Sequence, residues 1–186
     1  MKKTGAGLML WLLLVAGTSV AQTKDRWLHV RVKDTGTHPE TVTVNLPLSL
    51  AEKVLPAINA EELRRGKVRL HDADLNGVDL RALLDAVRTT ADGEFVKVES
   101  PEEDVRVAKE GDHLLVRVRD NRHHAQRVDV RVPMAVVNAM LSRSKDELDL
   151  VAGVRALSAY GDTALVTVDD KDESVRIWVD SRSTMD

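Results

Sequence analysis

Residues 28–55 read LHVRVKDTGTHPETVTVNLPLSLAEKVL, and residues 114–141 repeat the pattern as LLVRVRDNRHHAQRVDVRVPMAVVNAML. The two stretches align without a gap, and a second pair of stretches, 79–110 and 149–180, aligns in the same way. Self-similarity of this length predicts two copies of one supersecondary unit. The identical aligned pairs include Val30/Val116, Arg31/Arg117, Val32/Val118, Asp34/Asp120, His38/His124, Val42/Val128, Val44/Val130 and Pro47/Pro133.

Each unit opens with a predicted β-hairpin. Hydrophobic and polar residues alternate over 28–33 and over 42–46, on either side of a loop that contains Gly36 and Pro39. Such alternation is typical of strands with one buried face and one solvated face. Proline can precede a helix but not continue one, so Pro47 ends the hairpin. The Ser49-x-x-Glu52 pattern that follows has the form of a capping box and predicts a helix start.

The second stretch of each unit predicts a helix followed by another hairpin. The helices begin near Asp79 and Asp149, and the hairpins occupy 95–107 and 165–179. We therefore expect an α+β fold built as a tandem duplication of a β-β-α-α-β-β unit, with mainly antiparallel sheets and helices packed on one face. Unit one spans residues 22–112 and unit two spans 113–186.

An insertion distinguishes unit one from unit two. It lies between Pro56 and Val78, and its Lys67–Leu70 segment predicts a short extra strand. The insertion also contains Asp72-Ala73-Asp74-Leu75-Asn76-Gly77, which matches the first half of a calcium-binding loop through Asp72, Asp74 and Asn76. The position of the bidentate glutamate is Leu83, so an acidic turn is the favoured interpretation and calcium is the alternative. We expect no other cofactor.

Catalytic patterns are missing from the sequence. The chain has no cysteine and no G-x-S-x-G nucleophile motif. The aligned histidines, His38 and His124, fall on separate loops, whereas metal ligands converge at fixed spacings. Acidic pairs such as Glu102-Glu103 fall in turns that face solvent, whereas a carboxyl group that acts as general acid or base needs burial. We therefore expect a protein that is not an enzyme.

The first 21 residues have the pattern of a secretory signal peptide. Lys2 and Lys3 precede the apolar run 5–17, and the sequence up to Ala21 ends in small residues. The apolar run is shorter than the roughly 20 residues that a membrane-spanning helix requires. We expect cleavage near Ala21, a periplasmic or secreted mature chain, and no stable insertion of that chain into a membrane.

Charge and composition limit the partners. The formal net charge is −3 and aromatic residues make up 3% of the chain, which argues against nucleic acid as a ligand. The segment 134–141 is apolar almost all round and is either well buried or part of a subunit contact. We expect a protein partner or self-association, with contacts from Met134, Val137, Met140 and the outward-facing Trp178. For Trp178, packing on a sheet face within the chain is the favoured interpretation and a partner contact is the alternative.

Two phrases resemble known sequences. VTVNLPLSLAEKVL at residues 42–55 and VDDKDESVRIWVD at residues 168–180 are similar to uncharacterised exported bacterial proteins, and to the SHOCT-like modules of cell-envelope-stress proteins. The resemblance implies an envelope-associated module and carries no catalytic residue. The favoured function is therefore a non-enzymatic interaction or structural module of the bacterial cell envelope, and the alternative is a periplasmic protein that binds a small ligand or calcium.

Overall fold

The computed structural model of the chain describes residues 25–59, 63–69, 80–122, 126–141 and 147–184. The strands in these ranges are β1 (Trp27–Asp34), β2 (Glu40–Pro47), β3 (Leu63–Arg64), β4 (Lys67–Arg69), β5 (Gly93–Glu99), β6 (Glu103–Glu110), β7 (His113–Asp120), β8 (Arg127–Pro133), β9 (Glu147–Asp149), β10 (Thr163–Asp169) and β11 (Glu173–Asp180). The helices are α1 (Leu48–Val54), α2 (Leu80–Thr89), α3 (Met134–Leu141) and α4 (Leu150–Tyr160), and a short 3-10 turn, Leu55–Ala57, follows α1.

Eight of these strands form one antiparallel sheet. Its strand order is β2-β1-β11-β10-β8-β7-β6-β5. The α+β class with a mainly antiparallel sheet is thus confirmed. The two predicted units share this sheet: its four strands from 113–186 lie next to one another, and the two hairpins from 25–110 lie on either side of them.

A second, smaller sheet links the insertion to the later half of the chain. Its order is β3-β4-β9, and Val68 of β4 pairs with Leu148 of β9. The strand β4 confirms the extra strand that the sequence predicts in the insertion. Arg65 and Gly66 turn the chain between β3 and β4 with positive φ angles, 53° and 75°. This turn reaches α4, since the Leu150 N–H donates to the Gly66 carbonyl oxygen at 2.9 Å.

The hydrophobic core is shared between the two halves of the chain. One cluster of buried side chains is Leu48, Val136, Leu157 and Val179, and a second is Val87, Met134, Val137 and Leu141. Each cluster combines residues from before and after residue 112. Within the described residues the two predicted units therefore contribute to the same buried clusters, because helix and strand residues of one half cover apolar side chains of the other.

Helix α1 does not begin as the capping-box pattern predicts. The helix starts at Leu48, its N-cap is Pro47, and no side chain caps it. The Ser49 hydroxyl instead donates to a carboxylate oxygen of Asp25 at 2.5 Å. Because the strand runs directly into the helix through Pro47, Ser49 already lies inside the first turn and is too late to serve as the cap.

Candidate functional site: an apolar pocket between helices

An open pocket of about 530 Å³ lies where α1, α3 and α4 meet the β1–β2 hairpin. Its lining combines hydrophobic side chains of all five elements with the glycine Gly153. Leu28 and Leu46 contribute from the sheet, Met140 from α3, and Leu157 from α4. No charged or polar side chain lines it among the described residues, so the pocket favours an apolar occupant.

Residues of α3 and α4 form one wall of this pocket. Val136 and Met140 are four residues apart on α3 and therefore share a helix face. Gly153 of α4 lies opposite them, and a Cβ atom built there would be 2.7 Å from Cγ of Met140. The missing side chain at Gly153 thus allows α3 and α4 to approach closely, while leaving Met140 against the pocket.

The rim of the pocket exposes hydrophobic side chains to solvent. Leu50 and Val54 of α1 are each 44% exposed, and Ile58 after the 3-10 turn is 37% exposed. Large apolar side chains that cluster around a concave site are typical of surfaces that bind a partner. The rim therefore extends the apolar surface beyond the cavity itself.

A polar network is buried on the opposite face of the sheet. The His29 side chain is fully buried, with Nδ1 2.7 Å from Asn45 Oδ1 and Nε2 3.2 Å from Asp180 Oδ1. Burial raises the pKa of Asp180, but hydrogen bonds from the Arg182 backbone, the Trp178 indole and the Arg182 guanidinium outweigh it and lower that pKa overall. Both ring nitrogens of His29 are engaged within the chain, so this network joins β1, β2 and β11 and offers no accessible base.

A second histidine, His113, is the first residue of β7. His113 Nδ1 is 2.6 Å from Asp112 Oδ1, and its Nε2 is 3.1 Å from the Tyr160 hydroxyl. That hydroxyl donates to Asp112 Oδ2 at 2.8 Å. This hydrogen bond is the main reason that the pKa of Asp112 is lowered and the pKa of Tyr160 is raised.

The predicted contact residues fall in different places. Met134 and Val137 are 7% and 1% exposed and belong to the second core cluster, which corresponds to the well-buried alternative for segment 134–141. Met140 lines the pocket. Trp178 lies on the sheet face opposite Val179, as the alternation predicts, but it packs within the chain against His29. Of the four predicted contact residues, only Met140 lines the pocket.

The predicted calcium ligands Asp72, Asp74 and Asn76 lie outside the described residues, as does His124. Within the described ranges, no group of three or more His, Cys, Asp or Glu side chains is arranged to hold a metal ion. None of the helices described in the structure is long and apolar enough to cross a membrane.

The sequence pattern did not reveal the pocket or the polar network. The i, i+4 spacing of Leu50 and Val54 predicts that they share one helix face, but it does not show whether that face is covered or open. Asn45 and Asp180 are far apart in sequence, and both reach His29 because β2 and β11 flank β1.

Comparison with protein families finds a match to part of the chain. No curated protein and no solved structure matches the chain. Residues 26–108, which begin just before β1 and end within β6, match the model of the family described as "YvlB-like protein, C-terminal domain".

Proposed function

We propose that this chain is an exported, non-enzymatic module of the bacterial cell envelope that binds an apolar segment of a protein partner. The observation that carries the proposal is the pocket beside α1, with its hydrophobic lining and its exposed rim. The N-terminal pattern of residues 1–21 supports export.

A protein segment suits the site because the apolar surface is larger than the cavity. Leu50, Val54 and Ile58 stand around the opening and are more than a third exposed. A partner helix or loop that inserts one hydrophobic side chain into the pocket would cover these three residues at the same time.

The experiment that tests this function is native mass spectrometry of the protein purified from the cells that produce it. We expect a stoichiometric complex with a second protein chain, and loss of that chain from the Val54→Glu variant. Ala135→Glu is the matched control, because Ala135 is exposed on α3 and does not line the pocket. A complex that survives Val54→Glu unchanged would remove the pocket from the proposal.

The alternative function is binding of a small apolar ligand in the same pocket. The volume of about 530 Å³ is within the range of about 300–1,000 Å³ that is usual for small-molecule sites. The same mass spectra distinguish the two functions, because a retained ligand adds a few hundred daltons at most whereas a protein partner adds a whole chain.

Export has its own test. The full chain fused to alkaline phosphatase, which is active only outside the bacterial cytoplasm, is expected to show enzyme activity. Sequencing of the purified protein is expected to begin at Gln22, after cleavage next to Ala21. An uncleaved, inactive fusion would contradict the export proposal.

We also infer that the two halves of the chain are copies of one unit. The strand registers support this, because hairpins β1–β2 and β7–β8 pair their residues at positions that the sequence alignment makes equivalent. The hairpins β5–β6 and β10–β11 do the same, and both have a register shift at aligned positions, Glu94/Val96 and Ala164/Val166. The range of the family match, 26–108, lies within the first proposed unit.

A further inference from the structure

The contact between β8 and β10 has no counterpart in the first half of the chain. By the sequence alignment, β8 corresponds to β2 and β10 corresponds to β5. In the large sheet β8 and β10 are neighbours, whereas β2 and β5 are its two edge strands among the residues that the structure describes. Every other strand pairing in that sheet has an equivalent in the other half.

The helices explain why these two edges are apart. Helix α1 packs against α4, and α2 packs against α3, so α1 and α2 flank the α3–α4 pair on opposite sides. The hairpins that are connected to α1 and α2 are therefore held at opposite ends of the sheet.

Both edges expose side chains whose equivalents are covered in the β8–β10 contact. Val42 and Val44 of β2 are each 46% exposed, and Val98 of β5 is 48% exposed. Their counterparts Val128, Val130 and Val168 are partly buried. An edge strand with exposed valines and unpaired backbone groups is a template for pairing with another strand.

We propose that β2 of one molecule pairs with β5 of a second copy, in the register of the β8–β10 contact. That contact pairs Val130 with Val166, Asp129 with Thr167, Val128 with Val168 and Arg127 with Asp169. The equivalent pairs between copies are Val44 with Val96, Thr43 with Lys97, Val42 with Val98 and Thr41 with Glu99.

The chemistry of these pairs supports a second copy as the partner. Two of the four pairs join valines, which are favourable cross-strand neighbours. The other two pairs set a threonine against a charged residue, so no like charges face each other. Since every copy carries both edges, each contact leaves one β2 edge and one β5 edge for the next copy. The contact is therefore head-to-tail, and it closes as a ring or extends as a chain.

Disulfide trapping tests the contact directly, because the chain has no native cysteine. Residues directly opposite each other in an antiparallel pair have Cα atoms about 4.5–5.5 Å apart, which is within the range for a disulfide. We expect the full chain with Val42→Cys, mixed with the full chain with Val98→Cys, to form a disulfide-linked dimer under mild oxidation.

The control shifts the register by one residue. Neighbouring residues of a strand point to opposite faces, so Val42→Cys mixed with Lys97→Cys is expected to give a yield about tenfold lower. Equal yields from the two mixtures would show random collisions and overturn the proposal. A double variant, Val42→Cys with Val98→Cys, is expected to give cross-linked oligomers. A fast disulfide within a single chain would overturn the proposal too, because the sheet would then close on itself.

Self-association is measured independently by analytical ultracentrifugation. We expect the native chain to associate with rising concentration, Val98→Glu to reduce the association, and Val42→Lys combined with Val98→Glu to restore it. Both positions are exposed, and circular dichroism verifies that each variant is folded. A native chain that stays monomeric at all concentrations and gives no register-specific disulfide would overturn the proposal. The test is independent of the apolar pocket, since Leu50→Glu is expected to leave the disulfide yield unchanged.

Discussion

The imidazole of His29 is stacked on the indole of Trp178, with ring centroids 5.0 Å apart and 21° between the ring planes. The two residues are direct cross-strand partners on β1 and β11. The guanidinium carbon of Arg31 lies 5.7 Å from the centroid of the same indole, so the tryptophan is in contact with both residues of β1. The stack therefore joins the first and last strands of the described residues, which are neighbours in the large sheet.

Asp180 anchors this region, and its replacement is expected to destabilise the protein in a pH-dependent manner. The carboxylate accepts hydrogen bonds from the Trp178 indole at 3.1 Å and from the Arg182 backbone at 2.7 Å. Asparagine has one acceptor oxygen in place of two, so we expect Asp180→Asn to lower the free energy of unfolding at pH 7 by about 1–3 kcal/mol.

The sign of the pH dependence follows from the lowered pKa of Asp180. A carboxyl whose pKa is lower in the folded state stabilises the protein above its unfolded pKa of about 3.9, and this contribution is lost as the pH falls through the folded value. We expect urea unfolding to show that the difference in the free energy of unfolding between the native chain and Asp180→Asn is smaller near pH 3 than at pH 7. Asp172→Asn, at an exposed turn, is the control, and a constant difference would contradict the prediction.

Two leucines of α1 provide a test of the core. Leu48 is 1% exposed and belongs to the first hydrophobic cluster, whereas Leu50 is 44% exposed on the pocket rim. We expect Leu48→Ala to lower the free energy of unfolding by about 2–5 kcal/mol, because it leaves a cavity in packed surroundings. Leu50→Ala is expected to cost less than about 1 kcal/mol, since less apolar area leaves the interior. Similar losses in chemical denaturation would show that α1 packs differently.

Gly66 is expected to be intolerant of a side chain. Its φ angle is 75°, and a Cβ atom would be 2.4 Å from a methyl carbon of Val151. We expect Gly66→Ala to destabilise the protein by more than about 1–2 kcal/mol, which is the cost of the left-handed backbone conformation alone. Gly93→Ala is the matched control, because no atom lies within 4 Å of its added Cβ. Thermal unfolding with equal midpoints for the two variants would contradict this prediction.

Tyr160 offers a spectroscopic test of the Asp112 contact, because it is the only tyrosine in the chain. The hydrogen bond to Asp112, burial and the negative charge of that carboxylate raise the pKa of Tyr160. We expect Asp112→Asn to lower the Tyr160 pKa towards its ordinary value of about 10, measured by ultraviolet absorbance during alkaline titration. Asp162→Asn, an exposed position after α4, is expected to leave the titration unchanged.

Much of the local structure could be predicted from residue patterns. The alternation over 28–33 and 42–46 corresponds to β1 and β2, and the apolar segment 134–141 corresponds to α3. Of the candidate contact residues, Met140 lines the pocket, whereas Met134 and Val137 do not, because α3 is covered on its other sides by α2, β8 and β9. An all-apolar helix carries no periodicity that distinguishes its buried faces from its open one.

Strand identity and the inward or outward direction of side chains follow from the chain's own order of residues, because alternation and helical periodicity act over a few neighbouring positions. The neighbours of each strand do not follow from it. Aligned strands β2 and β8 have nearly the same hydrophobic pattern, yet β8 lies inside the sheet and β2 lies at its edge. Their positions depend on the packing of α1 against α4 and of α2 against α3, which are contacts between distant parts of the chain. The tertiary fold thereby created the apolar pocket, the buried His29 network and the two open edges.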